Sequence, residues 1–280
     1  MSQPIRITVL VEDGPAPQDL MAEHGAAYWI VCGTRPLLFD TGQGPALEHN
    51  ASALGISLGD AEAVILSHGH YDHAGGLARM LDGNRPVYGH PAALEAKFAQ
   101  NDDGSARSIG MPKTNRAALT RKDVFCPVTA PTEIIPGVFA TGPVPRVTPF
   151  EDASGPFFRD AGCTKPDMLT DDQSLFIPSP EGTIVVLGCA HAGVINTLEY
   201  VRGLTDGQPL AAVVGGMHLL SASKERIAAT ADALRALGVS LLSPCHCTGH
   251  CALEHFAALF RDSLRDCRPG SEFTFGRAEP

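Results

Sequence analysis

No stretch of this 280-residue chain strings together the roughly 18 apolar residues that a membrane-spanning helix needs. The opening residues, Met1-Ser2-Gln3-Pro4-Ile5-Arg6, carry no long apolar segment, so a cytoplasmic protein with no membrane partner is the expectation. Positive charge is scarce: 21 Lys and Arg against 31 Asp and Glu give a net charge of −10. That argues against a nucleic-acid partner, because binding a phosphate backbone needs clustered cations. It leaves room for one small anionic substrate at a local basic patch. A regular cysteine framework is missing too. The eight cysteines, at 32, 126, 163, 189, 245, 247, 251 and 267, read as reduced thiols. There is no Gly-x4-Gly-Lys-[Ser/Thr] phosphate loop. What remains, 44% hydrophobic and 19% charged residues, describes one globular α/β domain spanning 1–280.

The informative stretch is Ser67-His68-Gly69-His70-Tyr71-Asp72-His73. It follows Ala63-Val64-Ile65-Leu66, an apolar run with the length and branching of a buried strand. Asp72 through Leu81 then reads as a helix capped by Asp72. Three imidazoles and a carboxylate at one strand end suit a zinc, manganese or iron site. Four ligands so close in sequence fit one ion poorly. A pair of ions about 3.5–4 Å apart, each completed by more distant residues, fits better. His68 and His70 with one later residue would hold the first ion, and Asp72 and His73 with another would hold the second.

His68-x-His70-x-Asp72-His73, with Asp40 upstream in Leu38-Phe39-Asp40-Thr41-Gly42, resembles the metallo-β-lactamase superfamily. Gly188-Cys189-Ala190-His191-Ala192-Gly193, Gly215-Gly216-Met217-His218-Leu219 and Pro244-Cys245-His246-Cys247-Thr248-Gly249 narrow the resemblance to one branch. That branch includes the archaeal 7,8-dihydropterin-6-methyl-4-(β-D-ribofuranosyl)aminobenzene 5′-phosphate synthase. The resemblance implies an αββα sandwich and makes Asp40 a support residue close to the metals. The superfamily commonly completes its site with a His, a bridging Asp in a Gly-Asp pair and a final His. Here Gly188-Cys189 stands where Gly-Asp would be. His191 and His246 are therefore the leading later ligands, with Cys189 next and Asp172 and His218 behind. Whether the site holds one ion or two stays open, and so does a separate zinc knot at Cys245-His246-Cys247-x3-Cys251 with His250.

Further strands end in ligand-bearing loops at His191, His218 and His246, and sites in α/β sheets gather at such strand ends. His90, after the short strand Pro86–Gly89, reads as structural. Residues 101–123 are poorly periodic, and from 104 to 122 they carry Arg107, Lys113, Arg116, Arg121 and Lys122 with no acid. The stretch reads as a mobile basic loop over an anionic substrate, or else as a solvated loop or subunit contact. Arg146, in a Pro-rich turn, is a second anion-binding candidate. The sequence reading is a metal-dependent hydrolase acting on a small anionic, phosphorylated metabolite, with Asp72 as catalytic carboxylate and two zinc ions, iron or manganese being alternatives. The other readings are a transferase joining a pterin diphosphate to an aminobenzene ribotide, a non-hydrolytic metal-binding sensor, and a purely structural metal site. Homo-oligomerisation is left open.

Overall fold

The computed structural model describes residues 3–81, 83–151 and 155–276. The chain begins with β1 (Ile5–Val11), β2 (Ala27–Cys32) and β3 (Arg35–Phe39), then α1 (Pro45–Ala53) and β4 (Ala63–Ile65). The single turn α2 (Tyr71–Ala74) leads to β5 (Val87–Gly89), β6 (Phe98–Gln100), β7 (Ala106–Ser108) and α3 (Lys113–Lys122). Next come β8 (Phe125–Pro127), β9 (Thr132–Ile135), β10 (Val138–Ala140) and β11 (Phe157–Phe158). The remainder is β12 (Leu175–Ser179), β13 (Gly182–Leu187), α4 (Val194–Leu204), β14 (Leu210–Gly216), α5 (Lys224–Leu237), β15 (Leu241–Cys245), α6 (His250–Leu259) and β16 (Glu272–Phe275).

Two sheets, ordered β16-β1-β2-β3-β4-β5-β8 and β15-β14-β13-β12-β10-β9, face each other. Side-chain alternation explains why each sheet is apolar on both faces. In β13, Ile184 and Val186 enter the core between the sheets, while Val185 and Leu187 turn outward to α4, α5 and α6. In β4, Ala63 and Ile65 face inward, and Val64 lies against the layer holding α1 and α3. The result is the expected αββα sandwich. Parallel pairing of β3-β4-β5 and of β13-β14-β15 sends the carboxyl ends of β4, β13, β14 and β15 to one rim.

A small third sheet, β11-β6-β7, covers that rim. It includes part of the stretch expected to be a poorly structured loop. Residues 109–111 are tied to the histidine loop: Tyr71 N–H donates to Ile109 O at 2.9 Å and Met111 N–H to Gly69 O at 2.7 Å. The helix expected over 72–81 also differs. It is one α-turn followed by a 3₁₀ segment, Gly75–Met80, and its cap position is His70 rather than Asp72. Gly75 and Gly76 press against the backbone of Gln43 and Thr41, an approach a regular helix with side chains would block. Other sequence expectations hold well. Ser223 caps α5 by accepting the Arg226 N–H, and Gly238 closes it in the left-handed conformation. His90 Nδ1 accepts the Ala92 N–H, a structural role. Among the described residues no helix is long and apolar enough to cross a membrane, and all eight cysteines are free.

Candidate metal centre

The residues following β3, β13, β14 and β15 include four non-glycine positions with left-handed backbone: Asp40, Ala190, His218 and His246. Such conformations cost about 1–3 kcal/mol each and persist only where surroundings enforce them, often at functional sites. The loop after β4 has its own constraint. A Cβ on Gly69 would lie 2.2 Å from the Ala93 carbonyl oxygen, so only glycine can separate His68 from His70 there. The Gly69 N–H donates to Asp171 Oδ2 at 2.8 Å, which fixes the loop from below.

These loops bring together two sets of donors. His68, His70 and His191 place one ligand atom each within 4.8 Å of one another, and Asp72, His73 and His246 do the same. His68 Nε2 is 3.0 Å from His70 Nδ1, and His73 Nε2 is 3.1 Å from His246 Nε2. Cys189 Sγ approaches His73 Nε2 at 3.1 Å, where the two sets meet.

The outer nitrogens show which faces point inward. His73 Nδ1 pairs with Asp40 Oδ2 at 2.7 Å, His68 Nδ1 with Ser67 Oγ at 2.8 Å, and His246 Nδ1 with Asp13 Oδ1 at 2.6 Å. Ser67 in turn donates its hydroxyl to Asp40 Oδ2 at 2.6 Å and its N–H to Oδ1 at 2.7 Å. Each of these three imidazoles is thus held by Nδ1 with Nε2 turned toward the other donors, the arrangement that orients metal-bound histidines. His70 Nε2 and both ring nitrogens of His191 are buried with no hydrogen-bond partner, which is costly unless another group completes them. A divalent cation fits these residues.

Electrostatics suit that reading. Burial, reinforced by neighbouring imidazoles, pushes His68 and His191 well below the usual histidine range, and burial pushes His70 down to about 3. They are therefore neutral, as ligands must be. Burial alone would raise the Asp72 carboxyl, but His73 and His246 hold it well below the usual carboxylate range. His246 is the exception: burial would lower it, yet Cys247 and Asp13 raise it, so a cation would compete with a proton there. Burial pushes the Asp172 carboxyl up to about 7.

Beside the second set lies a sulfur-rich group. Cys189, His218 and Cys247 also hold ligand atoms within 4.8 Å of one another. Burial drives the Cys189 thiol well up. Cys247, although buried, is held down by hydrogen bonding from Cys189 and by the charge of His246. All three groups open on a cavity of about 370 Å³ whose wall includes Arg107, Ile109, Phe157, Leu220 and Arg226.

A family model, the metallo-beta-lactamase superfamily, matches residues 21–246. The chain belongs to this superfamily. A 7,8-dihydropterin-6-methyl-4-(beta-D-ribofuranosyl)-aminobenzene-5′-phosphate synthase of Methanocaldococcus jannaschii is 26% identical, covering 97% of each chain. An uncharacterized protein of the same organism is 30% identical over 90% of this chain and 94% of its own. Among solved structures, a metal-dependent hydrolase of the beta-lactamase superfamily is 31% identical, with a TM-score of 0.81 over 96% of this chain and 98% of that one.

As a metallo-β-lactamase relative, the chain places most sequence candidates at one rim. His68, His70, Asp72, His73, His191 and His246 form the two sets, Cys189 lies between them, and Asp40 supports His73. Asp172 does not join either donor set. Its Oδ2 accepts the Ala192 N–H at 2.9 Å, so it braces the His191 loop from behind. His218 falls in with the sulfurs instead of the main sets. Arg107 reaches the cavity wall, whereas Arg116 donates to Leu94 O at 2.9 Å and Arg146 to Met168 O at 2.6 Å, away from it. No donor group among the described residues joins Cys245 or Cys251 to Cys247, which disposes of the zinc-knot reading: Cys245 faces Tyr28 Oη at 3.4 Å and Cys251 is exposed. Sequence reasoning missed Asp13, His24 and Arg226, and it offered Cys247 only to the zinc knot. His246 and its partner Asp13 are 233 residues apart, and no local pattern links such a pair.

Proposed function

We propose that this protein is a metal-dependent hydrolase acting on a small anionic, phosphorylated metabolite. The observation that carries the reading is the meeting of two three-donor sets at the floor of one cavity whose wall contains Arg107. When bound, divalent ions supply water activated to a pKa of about 7 and positive charge for the electrophile's oxygen. His68, His70 and His191 would hold one ion and Asp72, His73 and His246 the other. We assign zinc to both, with iron or manganese able to replace it.

The chain's own residues have distinct tasks in this scheme. Asp72 borders the cavity, with Oδ2 3.4 Å from His24 Nε2 and 3.5 Å from His246 Nε2, and would be the catalytic carboxylate, ionised and able to orient a bound water. Arg107 would bind the anionic group, since guanidinium suits phosphate geometry. Phe157, its ring centroid 5.4 Å from His70 and 5.6 Å from His191, would shield the reacting centre from bulk water. The basic segment 101–123 is assigned to substrate entry and closure. The expected site of action is the cytoplasm.

A second reading, joining a pterin diphosphate to an aminobenzene ribotide, is supported by the full-length similarity to the archaeal synthase. Elemental analysis of the purified protein and its His68→Ala and His246→Ala variants, with phosphomonoester, phosphodiester and lactone assays, separates the two. About two equivalents of metal, lost in both variants together with a phosphoester activity, supports the hydrolase. Metal without activity on any of these substrates moves the transferase ahead.

A further inference from the structure

We propose that Cys189, His218 and Cys247 form an additional, thiolate-rich cation site for zinc beside the main centre, on the same cavity. The three side chains come from the segments following β13, β14 and β15, and their donor atoms lie within 4.8 Å of one another. Two sulfurs and one imidazole with a fourth position open to the cavity is a donor set that zinc accepts, and soft thiolates select it over magnesium or calcium.

Three features show that this group is shaped for a ligand. His218 Nδ1 is buried and has no hydrogen-bond partner. The backbone holds His218 left-handed, with its N–H 3.3 Å from Cys247 Sγ as donor, so the imidazole and the sulfur are fixed relative to each other. Gly216 makes the approach possible, because a Cβ there would lie 2.7 Å from Cys247 Sγ. Neither His218 nor Cys247 belongs to the two sets assigned above, so the site goes beyond the hydrolase reading. Cys189 borders both and would couple them.

The test uses the full chain reconstituted with Co2+, whose thiolate charge-transfer absorption reports sulfur ligation directly. The intact protein should show that band. Cys247→Ser should abolish it and remove one equivalent of bound cobalt, because the site needs all three protein ligands to hold the ion. His68→Ala should remove cobalt from the main centre and leave the band in place, which separates this site from the hydrolytic one. His218→Gln reads the same site if Cys247→Ser does not fold, and should also cost one equivalent. Unchanged stoichiometry and band in the folded Cys247→Ser or His218→Gln protein would overturn the proposal. A band that depends on Cys189 alone would also overturn it, making Cys189 a ligand of the main centre only.

Discussion

Lys97 Nζ lies 2.8 Å from Asp171 Oδ1, and the other oxygen of that carboxylate accepts the Gly69 N–H between His68 and His70. A second carboxylate, Asp167, approaches the same ammonium at 2.9 Å. Lys97 and Asp171 are almost wholly withdrawn from water. Removing only the cation leaves two buried carboxylates uncompensated. Lys97→Met should therefore cost about 3–5 kcal/mol of stability, the usual penalty for breaking a buried pair from one side. Denaturant unfolding of the two proteins checks this.

The same pair gives a pH dependence. Burial would lower the Lys97 pKa, but Asp171 and Asp167 more than offset it and hold it above its ordinary value. Since the folded pKa is raised, the stabilisation is complete below the unfolded lysine pKa of about 10.4 and is lost as pH climbs through the folded value. The stability gap between the unaltered protein and Lys97→Met should shrink in alkali as Lys97 loses its proton, and in acid as Asp167 and Asp171 are neutralised. A gap that holds constant or widens through the alkaline range would contradict it.

Asp40 organises two imidazoles, His73 directly and His68 through Ser67. Asn tolerates the left-handed backbone that Asp40 adopts, so Asp40→Asn keeps the turn and removes the charge. Metal affinity should weaken by about 10–100-fold, as for other changes behind a ligand, with little change in secondary structure. Competition against a chromophoric chelator measures it.

Arg107 faces the cavity without belonging to any donor set. Arg107→Ala should raise KM for the anionic substrate roughly 10–100-fold, the equivalent of losing a hydrogen bond to a charged group, while metal content stays at the unaltered level. A loss of metal in this variant would place the arginine in a structural role.

Bound zinc should also brace the fold. At a free concentration about 100 times its Kd, a cation that binds only the folded chain adds about 2.7 kcal/mol. Chelation should lower the unfolding midpoint of the unaltered protein and have a smaller effect on His68→Ala, read by thermal unfolding with and without EDTA.

Much of this was legible before the structure. The strand preceding His68 shows its burial in four consecutive apolar residues, and Ser223 and Gly238 announce both ends of α5 from local chemistry alone. The first four donors were legible because they lie on one loop. Asp13 and His24 were not, since they acquire their roles only when the segment between β1 and β2 folds against the loops after β4 and β15. Arg116 and Arg146 share the charge of Arg107 but bond to backbone carbonyls. Composition ranks such residues alike, and only the path of the backbone separates them.

The donors are drawn from both sheets: residues 68 to 73 follow β4 in the first, while 191 and 246 follow β13 and β15 in the second. During synthesis the loop carrying His68 and His73 emerges long before His246 exists to complete its partner set. A nascent chain can thus offer only a fragment of either pocket, and neither donor set is complete until the second sheet has closed over the first.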